Sequence, residues 1–273
     1  MGSGIAQHFA MHGHSVILFD LQPAIIEKAR AAIHKDLDKG IEKGKLSLED
    51  KNRTLEQIQF TTDINDCQAS LVIEAIIEKM EAKIQLFQQL FAINGSDTLF
   101  ASNTSSLSIR QLAAALPDPS RVVGLHFFNP ATLMKLVEIV VTDQNRNADT
   151  TSLRQLCQKT GKIPVVCRDA PGFIVNRVAR PYYIESLRLA EEGVDLATID
   201  QLMENAGFRM GPFRLMDLIG HDVNYAVSCS VYEQLGQPER LRPSPLQKEK
   251  VDQGNLGRKT GKGFYDWSPG SGN

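Results

Sequence analysis

The residues best suited to acid–base chemistry lie between Ser102 and Glu138. The stretch ASNTSSL follows a strand-like run, so its polar residues fall at the carboxyl edge of a sheet, where open α/β folds bind ligands. GLHFFNP places His126 at the end of another such run, and Glu138 stands inside the apolar MKLVEIV. A lone histidine beside a core is more often structural than catalytic. A lone glutamate in a buried strand is harder to account for, because a carboxylate buried without a partner is costly. Pairing the two resolves both oddities. The carboxylate accepts a bond from one imidazole nitrogen, fixes the tautomer and stabilises the imidazolium as it forms. The residues alone leave open whether such a pair does chemistry or only fills a core.

The elements that must position these residues alternate. Gly4 to Gly13 has apolar residues at helical spacing, and SVILFD reads as a short strand buried on both faces. Pro23 to Gly44 is a long amphipathic helix with Lys and Arg spread over one face. IQFTTD and ASLVIEAI are strands, and EKMEAKIQLFQQLFA is a helix. TLFASN is a strand, SLSIRQLAAAL a helix, and RVVGLHFF and KLVEIVVT are strands joined by a short loop holding Asn129 and Pro130. This order predicts an α/β domain with a doubly wound, Rossmann-like, mostly parallel sheet.

Near Arg168 the character changes. RDAPGF reads as a hinge, and beyond it come helices without a convincing strand. FIVNRVARPYYIESLRLAEEG is a long helix, kinked or restarted near Pro181 and closed by Gly193. DLATIDQLMENAG has Asp195 as its N-cap and Gly207 beyond its end. The predicted organisation is a sheet domain over residues 1–168 and an all-helical domain over residues 169–273.

Composition excludes several classes. The 273 residues are 42% hydrophobic and 23% charged, with 30 Lys and Arg against 32 Asp and Glu, so nothing points to nucleic acid or an anionic membrane. No apolar run approaches the roughly 18 residues of a membrane span. The four cysteines, Cys67, Cys157, Cys167 and Cys229, form no CxxC pair and stand near no histidine cluster. They predict no metal site and read as thiols of a reducing cytoplasm.

The opening residues complete a cofactor motif in part. In a dinucleotide-binding unit GxGxxG joins the first strand to the first helix, and an acid about 20 residues on bonds the adenine ribose. Gly2 fits the third glycine, Gly4 to Gly13 the helix, and Asp20 the acid closing SVILFD. An aspartate with no arginine after it favours NAD over NADP. The first strand and its two glycines are not in the sequence, and the expectation is that Met1 is internal to a protein about a dozen residues longer. Without that strand its two neighbours are left with unpaired edges.

Five ordered segments, SNTSSL, GLHFFNPATLMKLVEIV, DAPGFIVNR, MGPFRLMDLIG and GRKTGKGFYDW, resemble the short-chain L-3-hydroxyacyl-CoA dehydrogenase family, which includes bacterial 3-hydroxybutyryl-CoA dehydrogenases. The similarity runs from Gly2 to about Trp267. The resemblance implies NAD-dependent oxidation of (S)-3-hydroxyacyl-CoA to 3-oxoacyl-CoA, or the reverse. It makes His126 the base that takes the 3-hydroxyl proton as hydride leaves C3, with Glu138 orienting it. It sets Ser105 against the reacting oxygen beside the nicotinamide, and Asn176 against the substrate, in a cleft between the two domains. It assigns Asp20 to the adenine ribose, and Glu78, Lys83, Asn129 and Lys259 to the rest of the dinucleotide environment. Lys43 falls near a lysine that contacts CoA in the family, while Asp36 stands where some members have serine.

The family usually dimerises through its helical domain, and the apolar Leu187, Leu202, Leu215 and Leu218 form either that interface or the domain's own core. Two other readings are a non-catalytic relative of the λ-crystallin kind and an NAD enzyme of free hydroxy acids. Loss of Ser105, His126, Glu138 or Asn176 would favour the first of these, and all four are present. Hydroxybutyryl, longer hydroxyacyl and dicarboxylic hydroxyadipyl thioesters all suit these motifs.

Overall fold

Short apolar runs form the strands, and the helices between them cover both faces of the sheet. The computed structural model describes residues 1–268 and 270, so the last residues assigned to the helical domain lie partly outside the described residues. Helix α1 (Gly2–Met11) leads into β1 (Val16–Phe19), then α2 (Pro23–Glu42), α3 (Leu48–Glu56) and β2 (Ile58–Thr61). β3 (Leu71–Glu74), α4 (Met80–Ile93), β4 (Leu99–Ser102), α5 (Ile109–Ala114) and β5 (Val122–Phe127) follow. β6 (Leu136–Val141), α6 (Asn147–Lys159) and β7 (Ile163–Arg168) complete a compact unit spanning Met1–Asp169.

The strands form two sheets. β1 and β2 pair in parallel, and β3-β4-β5-β6-β7 make a second sheet, parallel except where β5 meets β6. Val16 of β1 and Leu71 and Ile73 of β3 pack on the same core, yet among the described residues no strand bridges β1 and β3. That core joins Ile5 and Phe9 of α1 to Leu125, Phe127, Val137 and Ile139, with Leu153 and Cys157 of α6 behind them. On the other face Phe87 of α4 meets Phe100 edge-on at 5.7 Å. Burial on both faces is what a sheet wound with helices on either side requires.

In this unit three helices and strands go beyond the sequence reading. α3 is a polar segment without an apolar stripe, and a capping box starts it: Asp50 N donates to Ser47 Oγ, and Ser47 N donates to the Asp50 carboxylate. α6 buries only Leu153 and Cys157, too few for a clear periodic signal. β7 is an edge strand holding Pro164, and its mixed burial hides the strand pattern.

The second unit begins at Ala170 and contains α7 (Val175–Glu191), α8 (Leu196–Asn205), α9 (Pro212–Ile219), α10 (His221–Gln234) and α11 (Pro245–Asp252). α7 continues through Pro181 as one helix. Tyr183, Leu187, Ile199, Phe213 and Met216 form its core, with Leu215 packed against them. Leu202 and Leu218 are exposed. At the start of the unit Gly172 and Phe173 both have positive φ, 73° and 48°, so the predicted hinge is a tight left-handed turn.

Asp217 organises the end of this unit. Its buried carboxylate accepts bonds from His221 Nε2 at 2.6 Å, Trp267 Nε1 at 2.7 Å, Phe264 N at 2.8 Å and Tyr265 N at 2.9 Å. Burial opposes its ionisation, but these four donors outweigh burial and hold the acid below its ordinary value. A Cβ on Gly263 would lie only 2.1 Å from Asp217 Oδ1, so the segment 258–267 docks through a glycine that no larger residue can replace without movement.

Candidate active site

β3, β4 and β5 run parallel, so Glu74, Ser102 and Phe127 end them at one edge of the sheet. β6 returns antiparallel, and the register sets Glu138 directly opposite His126. Opposed residues in such a pair share a face. His126 Nδ1 lies 2.7 Å from Glu138 Oε2, with Glu138 fully buried and His126 6% exposed. The connection between the strands holds a cis peptide at Asn129–Pro130. The buried ammonium of Lys162 pins it, donating to Ala131 O at 2.5 Å and Met134 O at 2.8 Å. Desolvation lowers the affinity of Lys162 for its proton.

The loop after β4 carries Ser105 and is tied down from two sides. Asn103 N donates to Glu74 O at 2.8 Å, and Asn103 Oδ1 accepts from Phe127 N at 2.8 Å, one residue past His126. Glu78 Oε1 accepts from Thr104 Oγ1 at 2.6 Å, Ser105 N at 2.9 Å and Ser106 N at 3.2 Å. Lys83 is only 1% exposed, and its Nζ lies 2.7 Å from Glu74 Oε1 and 3.3 Å from Glu78 Oε2. Ser105, Glu78, Lys83 and His126 therefore gather at one sheet edge. Glu74 and Asn103 join them without having been singled out in the sequence, although Glu74 closes LVIE much as Asp20 closes VILF.

The same sheet edge also has the features of an anion site. No side chain caps α1, and its first turn holds no acid, so its leading amides are open to a negatively charged group. Gly2 brings this turn against the end of β3, where a Cβ would lie 3.8 Å from Ala75 Cβ. Asp20 follows β1 and accepts from Gln22 N at 3.0 Å. A cavity of about 130 Å³ is lined by Ser3, Gly4 and Gln7 of α1, Asp36 of α2, and Asn129. Amides for a pyrophosphate and a carboxylate for a ribose are the donor and acceptor that a dinucleotide needs, and these residues fit it.

The remaining expected residues stand elsewhere. Lys43 is exposed just beyond α2 and does not line that cavity. Asn176 lies in the first turn of α7, where its carbonyl accepts from Arg180 Nε at 3.0 Å. Lys259, also in the second unit, is paired with Asp222 at 2.6 Å.

The 3-hydroxyacyl-CoA dehydrogenase NAD binding domain matches residues 1–170, and the C-terminal domain of the same family matches residues 172–267. The chain is 47% identical over 273 residues to the 3-hydroxyadipyl-CoA dehydrogenase of Escherichia coli K12, covering 98% of this chain and 57% of that protein. It therefore spans little more than half the length of that relative. The mitochondrial hydroxyacyl-coenzyme A dehydrogenase of Rattus norvegicus is 41% identical over 98% of this chain and 88% of its own. Among solved structures, (S)-3-hydroxybutyryl-CoA dehydrogenase from Ralstonia eutropha superposes with a TM-score of 0.93 at 36% identity, covering 98% of this chain and 96% of that one.

Proposed function

The chain belongs to the 3-hydroxyacyl-CoA dehydrogenase family, and on that premise we propose that it catalyses NAD-dependent oxidation of (S)-3-hydroxyacyl-CoA to 3-oxoacyl-CoA, or the reverse. The observation that carries this reading is the buried His126–Glu138 pair at the sheet edge that also bears the Ser105 loop. Glu138 holds the Nδ1 side of the ring, so Nε2 takes the proton from the substrate 3-hydroxyl, and Glu138 stabilises the imidazolium that results. When bound, the nicotinamide supplies the hydride acceptor.

Ser105 hydrogen-bonds the reacting oxygen, and Asn176 positions the thioester. The first turn of α1 at Gly2 holds the pyrophosphate and Asp20 the adenine ribose. Asn129, Lys259 and Glu78 serve the rest of the dinucleotide, with Lys83 acting on it through Glu78. Lys43 reaches the CoA phosphates.

The sheet domain, residues 1–168, carries the cofactor, and residues 169–273 carry substrate positioning and homodimerisation. Exposed Leu202 and Leu218 suit that interface, whereas Leu187 belongs to the unit's own core. Among the described residues no helix is long and apolar enough to cross a membrane, and we place the enzyme in the cytoplasm.

Turnover of acetoacetyl-CoA compared with free acetoacetate, followed as loss of NADH, tests the substrate class. A strong preference for the thioester is expected. Equal rates would instead favour a dehydrogenase of free hydroxy acids.

A further inference from the structure

Glu74 has no part in the chemistry above, yet its buried carboxylate accepts three hydrogen bonds. Ile76 N donates to Oε1 at 2.6 Å, Lys83 Nζ to Oε1 at 2.7 Å, and Ser102 Oγ to Oε2 at 2.6 Å. The side chains of Glu74 and Lys83 are 0% and 1% exposed. A buried ion pair is a weak source of stability, because apolar residues of the same volume often serve as well. Its geometry does more. Glu74 joins the ends of β3 and β4 to α4 and aims the Lys83 ammonium at Glu78. Glu78 is 38% exposed, and among the described residues this ammonium and the loop it caps hold its carboxylate in place. Its Oε1 is the acceptor for the Ser105 and Ser106 amides.

We infer that Glu74 is a positioning residue, which fixes the turn bearing Ser105 through Lys83 and Glu78. The inference rests on the role proposed above for Ser105. Without the Glu74 charge, Lys83 has Glu78 as its remaining carboxylate partner. The ammonium then draws that carboxylate off the two amides, and Ser105 loses its fixed place at the sheet edge that also bears His126.

The test combines amide hydrogen exchange over residues 103–108 with steady-state reduction of acetoacetyl-CoA by NADH. Both are measured in wild type, Glu74→Gln, Ser105→Ala and the double variant. Glu74→Gln should speed exchange at Ser105 and Ser106 while β4 and β5 stay as protected as in wild type. It should also lower kcat roughly 10–100-fold with little change in KM for the thioester, as a small misplacement at a reacting centre does. The double variant should fall no further than Ser105→Ala alone, because one effect travels through the other residue. Unchanged exchange at the turn, equal loosening of β4 and β5, or losses that multiply would each overturn the inference. If Glu74→Gln fails to fold, Glu74→Asp, which keeps the charge but draws it back from Lys83 and Ser102, is judged by the same criteria. Wild-type protein without thioester turnover would remove the functional reading instead, and the exchange pattern would still decide whether Glu74 fixes the turn.

Discussion

His126 and Glu138 are register partners on antiparallel strands, and the 2.7 Å contact between Nδ1 and Oε2 follows from that register. A slip of one residue would turn Glu138 to the other face of the sheet and leave two polar groups buried without each other. The pair is thus built into the backbone pairing rather than into a loop.

Glu138→Gln keeps the shape of the acid but removes the charge that favours the imidazolium. The expected outcome is a fall in kcat of roughly 10²–10⁴-fold, the usual worth of general acid–base catalysis, with KM for NADH little changed. Stopped-flow or steady-state absorbance at saturating substrates measures it. An unchanged kcat would mean that the carboxylate only packs the core.

Asp20 acts at the other end of the proposed cofactor site. Asp20→Ala should weaken NADH binding roughly 10–100-fold, the range expected for a lost hydrogen bond to a charged group. The kcat at saturating NADH should hold. Fluorescence titration of NADH reads the first, and a variant that binds NADH as tightly as wild type would dismiss the assignment.

Asp217 predicts a stability effect unconnected with chemistry. Asp217→Ala removes the acceptor for His221, Trp267 and two backbone amides at once. The cost expected for breaking a buried pair is about 3–5 kcal/mol, visible as a lower urea midpoint. Exposure of Trp267 should accompany it, seen as a red-shifted fluorescence of the one tryptophan in the chain.

Acid should weaken the first unit through His8. Its buried ring packs near Phe127 and His12, and Nε2 has no hydrogen-bond partner among the described residues. Burial first, then the charges of Lys162, His12 and His14, push its pKa from 6.5 down to about 3. Below pH 6.5 the unfolded chain takes up a proton there that the folded chain refuses until about pH 3, so this contribution to stability is lost progressively as pH falls through that window. Urea midpoints at pH 7 and pH 5 measure the loss, and His8→Leu should reduce the difference between them. An identical pH dependence in the variant would place the effect elsewhere.

Much of this was legible from residue types. The spacing put Gly2 at the head of α1 and Asp20 just past β1, and a histidine and a glutamate in apolar strands pointed to a pair, which the structure joins. Their register was not legible, because β5 and β6 are each plain apolar runs whose direction is decided by the short loop between them. Lys83 reads as a cation on a helix face, and nothing local shows that it reaches inward to Glu74. Asp217 meets Trp267 from 50 positions away, a distance no periodic pattern can span. Polar α3 and the proline-bearing edge strand β7 escaped because burial, not local preference, marks most elements, and these have little of it.

The most direct test is NADH oxidation by acetoacetyl-CoA in wild type and in His126→Ala. The account predicts robust turnover that the substitution abolishes while the variant still binds NADH. Turnover that survives the loss of the imidazole, or wild-type protein that leaves NADH untouched in the presence of the thioester, would contradict it.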